Sequence, residues 1–205
     1  MVISLVNQKG GVGKTTIAIN LSSAISRRGR KTLLIDADPQ GSVLQWPSTA
    51  ENQSFSVIHH PRPLSDATIK SLSKGFDHVV IDAPPAIGAM ISSILGVSDL
   101  AVIPIGPSPL DLWSSKETLS LIQEAQKHNR KLKAKLLICR RIARTRVGRE
   151  AREAVQTYGI DVFETEICQR VAYIEAMVSG LSVIEYAPHS EAAAEMTSLC
   201  EEILH

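Results

Sequence analysis

The sequence predicts an α/β protein, a doubly wound and mostly parallel sheet with helices on both faces. Short β-branched apolar runs recur along the chain, each followed by a turn and then a longer stretch able to be helical. The first run leads through a glycine-rich segment into an amphipathic pattern, the order strand, loop, helix. Two of the runs end at aspartate, and the carboxyl ends of parallel strands are where such sheets bind ligands.

The runs are Val2–Val6, Thr32–Ile35, His78–Ile81, Leu100–Ile103 and Leu136–Ile138. They are apolar at successive positions, as strands covered on both faces must be. After the first, Ile17, Ala18, Leu21, Ala24 and Ile25 recur at helical spacing, and Gly29 supplies the left-handed stop. The stretch 48–63 is polar, holds two histidines and two prolines and shows no period, so it reads as a surface excursion. With 205 residues, the chain is expected to form a single domain, 1–205.

Charge and cysteine content narrow the class. The 22 Lys and Arg against 21 Asp and Glu leave a net charge of +1, so only local clustering can point to a polyanionic partner. Cys139, Cys168 and Cys200 form no CxxC pair and read as reduced core thiols rather than disulfides or metal ligands. The first strand begins next to Met1, which leaves no room for a signal peptide, and no apolar run approaches the ~20 residues that span a bilayer. The expected location is cytoplasmic.

The chemistry concentrates in Asn7-Gln8-Lys9-Gly10-Gly11-Val12-Gly13-Lys14-Thr15-Thr16, between strand and helix. That context marks a phosphate-binding P-loop: glycines let backbone N–H groups turn toward an anion, and the helix N-terminus adds its positive end. Gly10, Gly11, Val12, Gly13, Lys14, Thr15 and Thr16 are the expected nucleotide contacts. Lys14 would bridge β- and γ-phosphate oxygens and the Thr15 hydroxyl would ligate Mg²⁺, so ATP and Mg²⁺ are the expected cofactors. Asp82, closing Val80-Ile81-Asp82, can hold the metal, and Asp36, closing the second strand, can support the same shell.

The strict GxxxxGK[ST] pattern wants glycine where this chain has Gln8, and a second lysine, Lys9, precedes Lys14 by five residues. In that KGGxGKTT form, in Asp36-Ala37-Asp38-Pro39-Gln40-Gly41 and in Asp82-Ala83-Pro84-Pro85, the sequence resembles the ParA/MinD family of deviant Walker A ATPases. It is most similar to the small plasmid-partition ParA proteins that lack an N-terminal DNA-binding extension. The resemblance implies a P-loop NTPase fold and an ATPase that is weak without its partner. It gives Asp38 the positioning of the attacking water, with Lys9, Lys14 and Asp38 as the catalytic set. Lys9 is then the residue that reaches across an ATP-dependent homodimer to the partner's phosphates, a charge in trans.

Two further stretches carry weaker implications. Pro104-Ile105-Gly106-Pro107-Ser108-Pro109-Leu110-Asp111-Leu112 is similar to the proline-rich loop that small ParA proteins place near nucleotide and dimer interface, though three prolines also make a stiff loop with no wider role. Trp113 beside it reads as interface or core. Pro188, in Tyr186-Ala187-Pro188, falls where relatives line the adenine pocket.

Between Arg140 and Arg152 there are six arginines against one acid, Glu150. If 146–158 is helical, Arg146 and Arg149 face solvent opposite a buried stripe. Arg144 and, later, Arg170 align with stretches that carry non-specific DNA contacts in ParA proteins, so Arg144, Arg146, Arg149 and Arg170 are the expected DNA-binding residues. The bland alternative is a solvated face paired with Glu150 and Glu153. The resemblance further implies a ParB-like centromere-binding partner and nucleoid association when ATP is bound. A membrane-docking relative would need a basic amphipathic tail, but residues 191–205 carry four glutamates and no Lys or Arg. Cluster cysteines for an electron carrier are absent between Pro84 and Leu137. Open rivals are a ParA-like ATPase that positions a cargo other than DNA and a metabolic P-loop ligase.

Overall fold

The computed structural model describes residues 1–46, 54–85, 88–142, 152 and 159–205. Strands β1 (Val2–Leu5), β2 (Thr32–Asp36), β3 (Ser56–His59), β4 (His78–Asp82), β5 (Leu100–Ile105), β6 (Lys133–Arg141) and β7 (Asp161–Val162) form one sheet in the order β3-β2-β4-β1-β5-β6-β7, with β8 (Ile167–Cys168) paired to β6. Every pairing is parallel. The five apolar runs all became strands, and every residue of β2 and β5 is buried. They are buried because helices cover both faces.

On one face lie α1 (Lys14–Arg27), α6 (Val171–Val178), α7 (Val183–Tyr186) and α8 (Glu191–Leu204), around a core that includes Ile17, Leu21, Ile25, Phe163, Met196 and Leu199. On the other lie α2 (Asp66–Leu72), α3 (Ala89–Val97) and α5 (Lys116–His128), around Ile69, Ile94, Leu95, Leu119 and Ile122. The short α4 (Pro109–Ser114) precedes α5. Helix α1 ends as expected, with Gly29 at φ 78° after the Arg28 cap.

Two differences from the sequence reading have physical causes. The excursion 48–63 contains β3, which pairs with β2 from Leu33–Ser56 to Asp36–His59. As an edge strand its residues are only half-buried or exposed, so it shows neither the apolar run nor the clean alternation of an inner strand. The proline-rich loop is partly helical: Pro109 opens α4, where its fixed φ suits the first turn and its missing N–H costs nothing. The three cysteines are free and buried.

The strand order reverses around β1, which is flanked by β4 and β5. The loops after β1, β2, β4 and β5 therefore converge on one crevice.

Candidate active site

The loop 7–13 is shaped by backbone that only glycine accepts easily. Gly11 and Gly13 have φ of 70° and 98°, and Gly13 is the N-cap of α1. Nothing lies within 4 Å of where a Cβ on Gly10 or Gly11 would stand, so the loop leaves open space for a ligand on its exposed side. The helix offers no side-chain cap at this end, and its first N–H groups stay available to an anion.

Lys14 is buried, and its ammonium donates to the carbonyls of Asn7 at 2.8 Å and Lys9 at 3.1 Å. Burial lowers its pKa, partly countered by Asp82 and Asp38. The ammonium thus lies folded along the loop that would wrap a phosphate. Asn7, which the sequence reading passed over, fixes that loop from beneath: its amide donates to Pro104 O at 2.7 Å and its Oδ1 accepts from Lys9 N at 3.0 Å.

Thr15 and Asp82 meet as expected. The Thr15 hydroxyl donates to Asp82 Oδ2 at 2.7 Å, while Asp82 Oδ1 is buried with no partner. An orphaned carboxylate oxygen beside a hydroxyl is the hard oxygen donor set that Mg²⁺ takes together with phosphate oxygens, so the residues fit that ion. Among the described residues no cluster of three or more His, Cys, Asp or Glu could hold a metal.

Burial pushes Asp82 up to about 7, the Thr15 hydrogen bond opposing and Asp36 adding to the shift. A carboxyl raised in the folded state contributes stability that is fully present below its ordinary range and lost as pH rises through about 7. Asp82→Asn is therefore expected to stabilise the nucleotide-free, chelator-treated chain more near pH 8 than near pH 5, by roughly 1–3 kcal/mol. Urea melts of parent and variant at both pH values check it; equal shifts at both would remove ionisation as the cause.

Asp36, expected to support the metal shell, lies beside Asp82 and is engaged with backbone. It is fully buried, level with Asp82 in the β2–β4 register, and both its oxygens accept backbone N–H groups, Oδ1 from Asp38 at 3.1 Å and Oδ2 from Val43 at 2.9 Å. Its role is to anchor the loop that carries Asp38. Asp38 itself is half-buried and accepts from Gln40 N at 2.9 Å, closing an Asx turn whose carbonyl also accepts from Gly41 N and meets His59 Nε2 at 3.0 Å.

Lys9 lies at the rim. Its ammonium pairs with Asp111 of α4, and a cavity of about 210 Å³ beside the loop is lined by Lys9, Val12, Gly106, Asp111, Arg140 and Gln169, among others. Pro188 is exposed in the turn before α8.

The arginine cluster is corrected in part. Arg144, Arg146 and Arg149, with most of the expected helix around them, lie outside the described residues. The sequence count opposed six arginines with one nearby acid, but folding brings acids from farther along the chain. Arg141 pairs with Glu166 at 2.8 Å, and Arg152 pairs with Glu164 and Glu166, both at 3.2 Å. Arg140, held at φ 55°, donates to Gly11 O at 3.1 Å and so belongs to the P-loop rim. Arg170, expected to contact DNA, is gripped by Glu195 through Nε at 2.8 Å and Nη2 at 2.7 Å, and also by Glu191, which raises its pKa. Glu195 in turn accepts from Cys168 N and the Tyr173 hydroxyl, both at 3.2 Å, tying β8 and α6 to α8.

A family model described as the CobQ/CobB/MinD/ParA nucleotide binding domain matches residues 3–183. The chain belongs to that family. Among relatives in the family, it is 34% identical to maintenance of carboxysome distribution protein A of Halothiobacillus neapolitanus, over 98% of this chain and 95% of that one. It is 28% identical to sporulation initiation inhibitor protein Soj of Bacillus subtilis, over 98% of this chain and 97% of Soj. Among solved structures, the McdA–ATP complex of a Cyanothece variant superposes with a TM-score of 0.79 at 21% identity, covering 98% of this chain and 95% of that one. Cobyrinic acid a,c-diamide synthase of Mycobacterium smegmatis with ADP and magnesium gives 0.78 at 22% identity, covering 99% and 93%. These structural likenesses carry the fold. Among the described residues no helix is long and apolar enough to cross a membrane.

Proposed function

We propose that this chain is an ATP-switched partition ATPase of the ParA type: Mg·ATP closes two copies into a sandwich dimer, the dimer binds DNA non-specifically, and a partner protein stimulates hydrolysis and release. The observation that carries the reading is the division of labour between two lysines. Lys14 is folded into its own P-loop, against the carbonyls of Asn7 and Lys9, whereas Lys9 stands on the rim with its side chain 40% exposed. A cation inside the loop serves its own nucleotide, and a cation on the rim is placed to serve a second copy's.

In this reading Thr15 and Asp82 hold Mg²⁺, which when bound neutralises charge on the phosphates. Gly10–Gly13 N–H groups and Lys14 bind and orient the nucleotide, Asp38 positions the water, and Asp36 keeps Asp38 in place. Lys9 stabilises the charge that builds up on the partner's γ-phosphate. The expected location is cytoplasmic, on the nucleoid when ATP is bound.

Two cargoes remain within this function. DNA, delivered through a ParB-like centromere-binding protein, is the first. The second is a protein body, favoured by the 34% identity to a carboxysome distribution protein over nearly the whole chain. Both use the same ATP-dependent grip on DNA, which is tested directly by binding to unrelated duplexes with ATP and with ADP across a salt series.

Tight binding is expected only with ATP. Replacing Arg144, Arg146 and Arg149 by Ala should weaken it equally on all sequences and flatten the salt slope by about 0.9 per lost phosphate contact. Arg170→Ala should instead lower thermal stability, because it strips Glu191 and Glu195 of their partner. Equal ATP and ADP binding, or an unchanged slope in the triple variant, would remove DNA as the switched surface.

A further inference from the structure

We propose that Asp111 is a positioning residue that latches Lys9 to its own protomer and thereby sets the threshold for ATP-driven dimerisation, an inference that rests on the trans role of Lys9 above. Three observations support a built contact rather than a chance surface pair. First, the backbone that carries the acid is fixed at both ends: Asp111 N donates to Ser108 O at 2.9 Å, and Asp111 O accepts from the Ser115 hydroxyl at 2.9 Å. Second, the lysine and the acid are joined by one circuit, because the Asn7 amide donates to Ser115 Oγ at 3.3 Å while Asn7 Oδ1 accepts from Lys9 N at 3.0 Å. Third, the carboxylate lies directly over Gly106, where a Cβ would stand 2.0 Å from Asp111 Oδ2. The glycine leaves the space that the latch occupies.

The consequence is a competition. With its ammonium on Asp111, Lys9 cannot also lie on a second copy's phosphates. Each protomer must give up this pair for the dimer to close. A γ-phosphate carries more charge than a carboxylate and outcompetes it, whereas ADP presents no γ-phosphate. The latch thus favours ATP over ADP as the nucleotide that dimerises the chain.

The pair is partly exposed, 40% at Lys9 and 16% at Asp111, so its effect is modest. Removing such a pair should change an equilibrium by about two- to fivefold per protomer, and so by about four- to twenty-fivefold in a dimer that breaks two.

Sedimentation velocity of the full chain with Mg²⁺ and either ATP or ADP tests it, comparing the parent with Asp111→Asn, Asp111→Glu, Gly106→Ala and Lys9→Ala. Asp111→Asn should dimerise at lower protein concentration by the factor above and should narrow the difference between ATP and ADP. Gly106→Ala, which pushes the carboxylate aside while leaving it in the chain, should shift the same way, and it keeps the test intact if Asp111→Asn folds poorly. Asp111→Glu should move back toward the parent. The double variant Lys9→Ala/Asp111→Asn should match Lys9→Ala alone. If Asp111→Asn and Gly106→Ala dimerise as the parent does, or less readily, while Lys9→Ala is dimer-deficient, the latch is overturned and the trans assignment stands. If Lys9→Ala itself dimerises and hydrolyses ATP like the parent, the assignment beneath the latch falls with it.

Discussion

Lys14→Ala is expected to abolish useful ATP binding, while Lys9→Ala keeps binding and loses dimerisation and hydrolysis. Lys14 is buried, and its ammonium lies against two carbonyls of the loop that would enclose the phosphates. Removing the cation deprives bound phosphate of its partner and leaves those carbonyls unpaired. Losing one member of a buried charge pair costs about 2–5 kcal/mol, so affinity should fall by about 30-fold or more. Lys9 sits on the rim, bound to Asp111 rather than to the loop interior, and its loss leaves the cradle intact. A charge supplied in trans is worth about 10³-fold or more in turnover, and that loss should appear in turnover and self-association rather than in nucleotide affinity. Nucleotide titration and sedimentation of the two variants separate the roles; equal loss of binding in both would reject the division.

How much of this was legible in the sequence follows from the range over which each signal acts. The inner strands announced themselves because burial on both faces forces continuous apolar runs, and Gly29 and the P-loop glycines because backbone conformation demands them. That Lys14, Thr15 and Asp82 would meet at one crevice was readable because the P-loop pattern and the strand-end aspartate fix their places. Asp36 was placed in the right crevice, but its hold on the backbone was not foreseen. Its carboxylate spends both oxygens on N–H groups two and seven residues onward, which no local pattern reveals.

What stayed hidden is what the fold assembles from distant segments. Arg141 and Arg152 looked unopposed because Glu164 and Glu166 follow downstream, and Arg170 meets Glu191 and Glu195 only when α8 packs beside β8. Asp111 carried no signal beyond a proline-rich neighbourhood, and its partner lies 102 residues earlier. The edge strand β3 was missed because an edge need not be apolar on either side of its ladder.

Asp36 and Asp38, two residues apart, are expected to fail in opposite ways. Asp38→Ala removes one hydrogen bond, from Gln40 N, at a half-buried turn whose Asp38 carbonyl contacts to Gly41 and His59 persist. Its stability cost should be about 0.5–1.5 kcal/mol. The phosphate cradle and the Thr15–Asp82 oxygens are untouched, so ATP still binds and the dimer still forms. What goes is the group that orients water, and positioned acid–base groups contribute about 10²–10⁴-fold to rate. Asp38→Ala should therefore accumulate as an ATP-bound dimer. Asp36→Ala strips two N–H groups, those of Asp38 and of fully buried Val43, of their acceptor at a position with no solvent access. Each orphaned donor costs about 1–3 kcal/mol, so the fold should lose about 2–6 kcal/mol and the loop bearing Asp38 should lose its anchor. Urea melts, sedimentation with ATP and phosphate release distinguish the pair: Asp38→Ala folded, dimeric and inactive, Asp36→Ala strongly destabilised. An Asp38→Ala variant that stays monomeric with ATP or hydrolyses at the parental rate would take water positioning away from Asp38. An Asp36→Ala variant as stable as the parent would show that the loop holds its shape without the buried carboxylate.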